Sequence, residues 1–334
     1  MRPTIYDVAK QASVSIATVS KVVNDKGQIS EKTRKHVKQV MKELEYEPST
    51  IATALSGKKT KTLGVLVPNI ANPFFGEITR ILENNARKLD YAIFICSTYN
   101  QPEREKEYIT LLLKKQVDGI IIATEQLDEE TLRKINKRNT PVLKFSVHSN
   151  PNEATGVTTN NFEGGFIAAR YLFEKGHHHV GLIGDLSRDS EIKRIHGFCN
   201  YYEVQQHAIQ KSNIISSDSE LTEAKVAVEK LLSISPRPTA LFATTDFLAI
   251  VAINSATQKG IKVPDELSVI GFDNTIYAQL CHPPLTTIEQ PIEEMAKLAL
   301  HQLLKIINGE TSKPYEQIVL TPKLIERRTV KSIM

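Results

Sequence analysis

The chain has 334 residues, 41% of them hydrophobic and 24% charged, with no tryptophan. That length gives room for two or three domains with real cores, and the balance excludes a disordered chain, a collagen-like repeat and a coiled-coil rod. The net charge of +4 is unevenly spread: residues 1–60 carry 11 lysines and arginines against 6 acidic residues, and the rest of the chain 31 against 32. A small basic module on a near-neutral body is the electrostatic footprint expected for a polyanion partner.

The longest apolar runs, such as 63–68 and 119–123, are far shorter than the ~18 residues a membrane span needs. Residues 1–14 alternate polar and apolar side chains and lack the continuous apolar stretch of a secretory signal. Cys96, Cys199 and Cys281 lie far apart with no metal-ligand spacing, which suits a reducing compartment. A cytoplasmic protein with no membrane contact is therefore expected.

Thr4-Ile5-Tyr6-Asp7 has the Ser/Thr-x-x-Asp/Glu spacing of a capped helix start, and Val8, Ala9 and Ala12 follow at helical spacing. Gln11-Ala12-Ser13-Val14 reads as a short turn. Ser15 is placed to cap a second helix over 16–24, with Val19, Val22 and Val23 as its inner stripe. Ala17, Ser20, Lys21 and Asn24 fall at i, i+3, i+4 and i+7 and share the opposite face. That face is small, polar and basic, suited to entering a major groove and meeting base edges and phosphates. Ser30 caps a third helix with Val37, Val40, Met41 and Leu44 in one stripe. Three short helices with a tight turn between the first two make a helix-turn-helix unit, although a generic three-helix bundle would show the same periodicity. Pro48 suits the first turn of a further helix over 49–55, too short to be stable alone, and Gly57-Lys58-Lys59-Thr60-Lys61 reads as a linker.

From residue 62 onward, apolar runs alternate with amphipathic stretches. Strands are predicted over 63–68, 92–97, 119–123, 142–146, 180–184, 240–243 and 268–272. Helices are predicted over 73–89, 104–115, 162–175, 221–232 and 247–258. Alternating strand and helix means parallel sheets covered on both faces, and the length of this region favours two lobes. Ligands in such sheets bind outside the carboxyl ends of strands. Asn72, Phe74 and Phe75 follow the first strand; both rings could equally be core. Arg188, Ser190 and Arg194 follow the strand ending at Gly184; Arg194 could equally serve a salt bridge. Asp246 and Asp273 follow two later strands, where a carboxylate accepts paired hydroxyls well, and Asp246 could instead cap the helix that starts there. Two arginines near a cleft lean toward an anionic ligand.

Other signals carry less. His177-His178-His179 has no fourth ligand nearby and reads as a solvated turn. Glu125, Asp128, Glu129 and Glu130 read as an acidic helix start, favourable to the helix dipole. There is no phosphate loop of the Gly-x-x-x-x-Gly-Lys type and no Gly-x-Ser-x-Gly elbow. No catalytic constellation, metal site or cofactor is implied.

The first sixty residues resemble the lactose-repressor/galactose-repressor family of bacterial transcription regulators. The match runs through Thr4-Ile5-Tyr6-Asp7-Val8-Ala9, then Val14-Ser15-Ile16-Ala17-Thr18-Val19-Ser20-Lys21-Val22-Val23-Asn24, Ser30-Glu31-Lys32-Thr33-Arg34 and Leu44-Glu45-Tyr46-Glu47-Pro48. It continues in the body through 65–75, Val117-Asp118-Gly119-Ile120-Ile121, Asn161-Phe162-Glu163-Gly164-Gly165, Pro238-Thr239-Ala240, Ile270-Gly271-Phe272-Asp273-Asn274 and Pro284-Leu285-Thr286-Thr287-Ile288.

The resemblance implies an all-α helix-turn-helix with a hinge helix, followed by a two-lobed α/β core of parallel sheets similar to a periplasmic binding protein. It implies a DNA-binding domain over 1–47, a hinge and linker over 48–61, and a core over 62–332. The first lobe would take 62–159 and 292–320, and the second 161–289 and 322–332. Crossovers would fall near 159–161, 290–291 and 321–322. DNA contacts would come from Thr4, Ser15, Ile16, Ala17, Thr18, Ser20, Lys21, Asn24, Thr33, Ser49 and Leu55. Ile16 and Ala17 occupy the positions that choose the operator, Lys21 stands where arginine is frequent, and Leu55 holds the place of a minor-groove wedge. Thr53 replaces a longer polar or basic residue. Effector contacts would come from Asn72, Phe74, Phe75, Arg188, Ser190, Arg194, Asp246 and Asp273.

The expected protein is thus a nucleoid-associated homodimeric repressor that binds a pseudo-palindromic double-stranded operator. Its effector could be a sugar, a sugar phosphate, a purine or a phosphocarrier protein acting as corepressor. The tail after Arg328 is too short for a tetramerisation helix. A solute-binding protein and an enzyme on a similar scaffold are the rival classes; the DNA-reading module counts against the first and the missing catalytic motifs against the second.

Overall fold

Small aliphatic side chains at helical spacing close a three-helix core in the first part of the chain, and two parallel sheets follow. The computed structural model describes residues 3–25, 27–47, 59–125, 128–147, 154–218, 220–310 and 316–334. These form two units, Met1–Thr62 with Gln116–Asp118, and Leu63–Lys115 with Gly119–Met334.

The first unit holds α1 (Ile5–Gln11), α2 (Ile16–Val23) and α3 (Glu31–Glu43). Each start is capped by its own sequence. The backbone N–H and hydroxyl of Thr4 both donate to the Asp7 carboxylate, at 2.8 and 2.7 Å. These bonds hold the Asp7 carboxyl below the usual range. The Ser15 hydroxyl accepts from the Thr18 N–H at 3.1 Å, and that of Ser30 from the Thr33 N–H at 3.2 Å. Ser13 and Asp25, just past the first two helices, take positive φ and turn the chain. Helices this short are not stable alone. Val8, Ala9 and Ala12 of the first helix, Val19 and Val22 of the second, and Val37 and Val40 of the third bury one another instead. Ser49, Thr53, Leu55 and the hinge helix expected after Pro48 lie outside the described residues.

The second unit has twelve strands among its described residues. They run β1 (Thr62–Val67), β2 (Ala92–Ser97), β3 (Gly119–Ile122), β4 (Val142–Phe145), β5 (Thr155–Thr159) and β6 (Val180–Gly184). They continue as β7 (Ile214–Ser216), β8 (Ala240–Ala243), β9 (Ser268–Asp273), β10 (Thr286–Glu289), β11 (Gln317–Leu320) and β12 (Lys323–Ile325). One sheet has the order β11-β5-β4-β3-β1-β2, the other β12-β10-β9-β8-β6-β7. Pairing is parallel from β11 through to β1, with Leu63 opposite Gly119. It is parallel in the second sheet except at its β12 edge, which runs antiparallel to β10. The chain passes between the sheets three times, after β5, after β10 and between β11 and β12.

The helices are α4 (Pro73–Arg87), α5 (Pro102–Lys114), α6 (Glu129–Lys137), α7 (Asn161–Glu174) and α8 (Asp189–Val204). Then come α9 (Leu221–Leu232), α10 (Asp246–Gln258), α11 (Ile276–Leu280) and α12 (Ile292–Ile307). Strands β5 and β10, the threonine-rich segments Thr155–Thr159 and Thr286–Glu289, do not stand out as apolar runs, yet Thr155, Thr158, Thr159, Thr286 and Thr287 are buried. Their hydroxyls pass unnoticed in a hydropathy reading, while their β-branched shape fits the pleat.

Helices α7 and α8 touch backbone to backbone. A Cβ on Gly165 would lie 1.8 Å from the Arg194 carbonyl oxygen, and one on Gly197 1.9 Å from that of Phe162. Only glycine allows this approach. It sets the height at which Arg194 enters the space between the sheets. Phe198 anchors the same helix, stacked on Phe242 at 4.8 Å and on Tyr202 at 5.2 Å. Fully buried rings of this kind contribute about 1.5–3 kcal/mol each.

The histidine run is not a solvated turn throughout, as the sequence suggested. His177 is 1% exposed. Its Nε2 donates to the Lys331 carbonyl at 2.9 Å, and its Nδ1 faces the Thr239 hydroxyl at 3.0 Å. His177 thereby pins the C-terminal segment to the second lobe, together with Thr329, whose hydroxyl accepts from the Thr286 N–H at 2.8 Å. Among the described residues no helix is long and apolar enough to cross a membrane, and no cluster of side chains is arranged to hold a metal ion.

Candidate DNA-reading face and inter-lobe cleft

The outer face of α2 carries the residues singled out in the sequence. Ser15, Ile16, Ala17 and Lys21 are exposed, and Thr18, Ser20 and Asn24 half-buried, while Val19 and Val22 point inward. The Asn24 amide donates to the Ser20 hydroxyl at 3.2 Å, which orders two polar side chains on that face. Thr4 is exposed beside the start of α1, and Thr33 is half-buried near the start of α3. Arg34 pairs with Asp25, holding the turn after α2 against α3. The result is a short helix with a small, polar and singly basic face, supported from behind by valines.

In the second unit the carboxyl ends of the strands of both sheets converge on one cavity. Asn72, Phe74, Phe75, Ala123, Glu125, Ser146 and Val147 line it from the first lobe. Arg188, Ser190, Glu191, Arg194, Thr245 and Asp273 line it from the second. Seven of the eight residues picked from the sequence thus meet here. The free volume is only about 30 Å³, well short of the roughly 300 Å³ at the small end of ligand sites. The lobes are closed.

Asp246 is the residue the structure leaves out. Its carboxylate is 1% exposed. It accepts the Thr275 N–H at 2.6 Å, the Thr275 hydroxyl at 3.0 Å and the Thr287 hydroxyl at 2.5 Å. Through these three bonds Asp246 ties α10, the β9–α11 turn and β10 together. The helix cap expected of it is instead Thr245, whose hydroxyl accepts the Leu248 N–H at 3.3 Å. Phe74 and Phe75 meet both readings at once: they belong to the first lobe's core, edge to face at 5.1 Å, and they also line the cavity.

Arg194 and Asp273 form the centre of the second lobe's wall. The Arg194 Nε donates to the Asn161 amide oxygen at 2.8 Å, and Nη1 to the Thr244 carbonyl at 2.6 Å and to Asp273 at 3.4 Å. Its guanidinium lies 3.7 Å over the ring of Phe272. The same Asp273 oxygen accepts from the Gln290 amide at 2.7 Å. Asp273 has φ +114°, and Asn274 follows at +56°. Held there by surrounding bonds, this backbone strain of about 1–3 kcal/mol aims the carboxylate at the cavity. Burial raises the Asp273 carboxyl above the ordinary range, and the Arg194 charge works against it.

Arg188 is matched in the same way. Its guanidinium pairs with Asp185 and Glu191, each at 3.8 Å, and donates to the Asn100 amide oxygen at 3.3 Å. Glu191 is 2% exposed and accepts the Asp185 N–H at 2.8 Å and the Thr244 hydroxyl at 2.5 Å. Burial raises its carboxyl too, against the pull of Arg188 and Arg194. The cavity therefore carries three carboxylates, Glu125, Glu191 and Asp273, beside two arginines. Both guanidiniums are already paired with carboxylates in this arrangement.

Sequence reasoning missed Glu125. The sequence places it in an acidic helix start, but the cap of α6 is Asp128, which accepts the Thr131 N–H at 2.9 Å. Glu125 reaches across the cleft instead. Its carboxylate accepts the Asp189 N–H at 2.8 Å and the Ser190 hydroxyl at 3.1 Å. Glu125 and Ser146 lie just past β3 and β4, so the strand-end rule applied to the other strands would have found both.

A capped helix-turn-helix followed along the chain by a two-lobed α/β core with a polar cleft defines a DNA-binding transcription regulator. Residues 4–49 match the model of bacterial regulatory proteins of the lacI family, and residues 169–330 the periplasmic binding protein-like domain. The chain is 42% identical to the HTH-type transcriptional regulator DegA of Bacillus subtilis, over 100% of this chain and 99% of that protein. It is 36% identical to the HTH-type transcriptional repressor PurR of Aliivibrio salmonicida, over 99% of each. The lac repressor dimer solved with operator and the anti-inducer ONPF superposes with a TM-score of 0.83 at 28% identity, covering 99% of this chain and 100% of that one. The protein belongs to the lacI family. It is a transcription regulator, as its relatives are, and not an enzyme.

Proposed function

We propose that this regulator represses transcription by binding a pseudo-palindromic operator as a homodimer, and that an uncharged, hydroxyl-rich metabolite taken up between the lobes controls its affinity for DNA. Recognition falls to α2. Ile16 and Ala17 read apolar edges such as thymine methyls, Ser15, Thr18, Ser20 and Asn24 offer hydrogen bonds, and Lys21 supplies a point charge. Thr4, Thr33 and Ser49 serve the phosphate backbone, and Leu55 wedges a base step from the hinge. The protein works in the cytoplasm, on the nucleoid.

The observation that carries the effector reading is the saturation of both arginines by Asp273, Asp185 and Glu191. An anionic ligand would have to compete with buried carboxylates, whereas hydroxyls can bridge them through charge-assisted bonds. A relative 31% identical, from Alkaliphilus metalliredigens, was solved with D-xylulofuranose; it covers 81% of this chain and 99% of that one, with a TM-score of 0.73. Asn72, Phe74, Phe75, Arg188, Ser190, Arg194 and Asp273 would face the effector, and Asp246 would hold their frame. Closure of the lobes biases the spacing of the paired DNA-binding modules.

Selection of bound sequences from a random duplex pool, at roughly physiological salt, tests the reading, because non-specific phosphate binding is weakened there. Enrichment of one palindrome is expected. No enrichment, with or without a panel of sugars present, would overturn it.

A further inference from the structure

The last residues of the linker are gripped by one carboxylate. Thr60 and Lys61 stand just before β1, and Asp118 just before β3. One oxygen of the half-buried Asp118 carboxylate accepts the Thr60 backbone N–H at 2.7 Å, and the other accepts the Lys61 backbone N–H at 2.9 Å. The Thr60 hydroxyl has one proton and two acceptors in reach, the same carboxylate at 3.0 Å and the Gln116 carbonyl at 2.9 Å. In return the Asp118 N–H donates to the Thr62 carbonyl at 2.8 Å.

The grip holds an unusual backbone. Lys61 has φ +55° and Gln116 φ +56°. A residue with a side chain stays in this left-handed region only where its surroundings fix it. Bonds from two successive N–H groups to one charged acceptor do so. The sheet itself does not require them, because β1 is aligned with β3 by its own ladder from Leu63 opposite Gly119 onward. What Asp118 fixes is the chain upstream of that ladder, which leads to the DNA-reading helices.

Asp118 also opens β3. All four residues of that strand are buried, and it pairs with β1 on one side and β4 on the other, so it moves as one piece. Past its far end stands Glu125, which accepts from Asp189 and Ser190 of the second lobe. At about 3.3 Å per residue, roughly 20 Å of chain separates the two carboxylates. The grip on the linker and the bond across the cleft are the two ends of one buried strand.

We propose that Asp118 is a positioning residue for operator binding: its carboxylate fixes the linker where it joins β1, and β3 carries the state of the lobes from Glu125 to that grip. The inference rests on the operator-binding reading above and adds the residue through which the core acts on the linker.

Fluorescence anisotropy with the full chain tests it, using the selected operator, a scrambled duplex of equal length, and the operator with one base pair inserted at its centre. Asp118→Ala should weaken the operator about tenfold, leave the scrambled duplex unchanged, and narrow the preference for the original spacing over the inserted one. Asp118→Asn keeps the shape but turns an amide N–H toward a backbone N–H, so it should show the same changes to a smaller degree. Because it is isosteric, a folding failure of Asp118→Ala does not leave the question open. The urea midpoint of Asp118→Asn should match the parent's, which separates positioning from a loss of fold. The effect of Glu125→Ala on operator affinity should shrink at least threefold once residue 118 is alanine, because interacting sites are not additive.

Unchanged operator affinity in both Asp118 variants, or equal weakening of operator and scrambled duplex, would overturn the positioning role. The same Glu125→Ala factor in both backgrounds, or none in the parent, would overturn the route through β3. If the parent itself does not prefer the operator to the scrambled duplex, the operator-binding reading fails and the role of Asp118 falls with it.

Discussion

The Glu125 carboxylate, at the carboxyl end of β3 in the first lobe, accepts the backbone N–H of Asp189 at the start of α8 in the second, at 2.8 Å. An anion at a helix N-terminus satisfies an orphan donor and meets the positive end of the dipole. Here the anion comes from the opposite lobe, so the bond exists only when the lobes are closed. Its second oxygen takes the Ser190 hydroxyl. Any molecule that enters the cavity lined by Asp273 and Phe74 must either fit under this latch or displace it.

Glu125→Ala should loosen that closure. A hydrogen bond to a charged group contributes about 1.5–3 kcal/mol, less at this half-exposed position. A shift of about 1 kcal/mol toward open lobes is expected, read as faster amide exchange at Asp189 and Ser190. Unchanged exchange at both amides would show that the latch contributes nothing.

On the DNA-reading face, Lys21 and Ile16 should behave differently. Lys21→Ala removes a phosphate-type contact, so binding weakens evenly across sequences and the salt dependence drops by about one ion. Ile16→Ala removes an apolar contact to a base edge, so it should change which sequence is selected at an apparent cost of about 1–3 kcal/mol for the parent operator. Identical selected sequences for parent and Ile16→Ala would remove Ile16 from the reading face.

Arg194→Met should destabilise the second lobe strongly. Removing one member of a buried pair leaves the other charge uncompensated and costs about 3–5 kcal/mol. Asp273 would lose Arg194 and keep Gln290. Urea denaturation should show a lower midpoint at neutral pH. The deficit should shrink as pH falls and the raised carboxyl of Asp273 takes up its proton. A deficit independent of pH would show that the uncompensated charge is not its source.

His177 predicts an acid-side loss of stability. Burial lowers its pKa from the ordinary 6.5. Between that lowered value and 6.5 the unfolded chain binds a proton that the folded chain refuses, so stability rises with pH in this window. The contribution is complete above about 6.5 and is lost as pH falls below it. The melting temperature should therefore drop between neutral pH and pH 5, and His177→Gln should flatten that part of the curve. The Thr239 hydroxyl has one proton and two acceptors near it, the His177 ring and the His179 carbonyl at 3.1 Å. An equal slope in the variant would place the acid sensitivity elsewhere.

Much of the site was legible because the rule behind it is local. Asn72 and Arg188 stand a few residues past an apolar strand and Asp273 ends one, and parallel α/β sheets place such positions at one edge. Asp246 satisfied the same rule and still fell outside the cavity, because Thr275 and Thr287, far along the chain, claim its oxygens. Glu125 satisfies it too, yet its sequence neighbours point to a dipole partner for the nearest helix. Adjacency in sequence favoured that helix; the folded chain brought α8, more than sixty residues away, closer.

The helix-turn-helix was determined by the sequence alone. Its caps lie three residues from the groups they bond, as at Thr4 and Asp7, and its inner and outer faces follow from a period of 3.6 residues. Local spacing is enough wherever the interacting groups are a turn apart. The cleft was decided by tertiary structure. Which carboxylate faces the cavity, which one ties strands together, whether Arg194 is free, and whether His177 meets water depend on partners brought together by three crossings between two sheets and by the close contact of Gly165 with α8. Burial and pairing are properties of that assembled space. No periodicity along the chain encodes them, because the cost of an unpaired charge is set by whatever the fold places within about 4 Å of it.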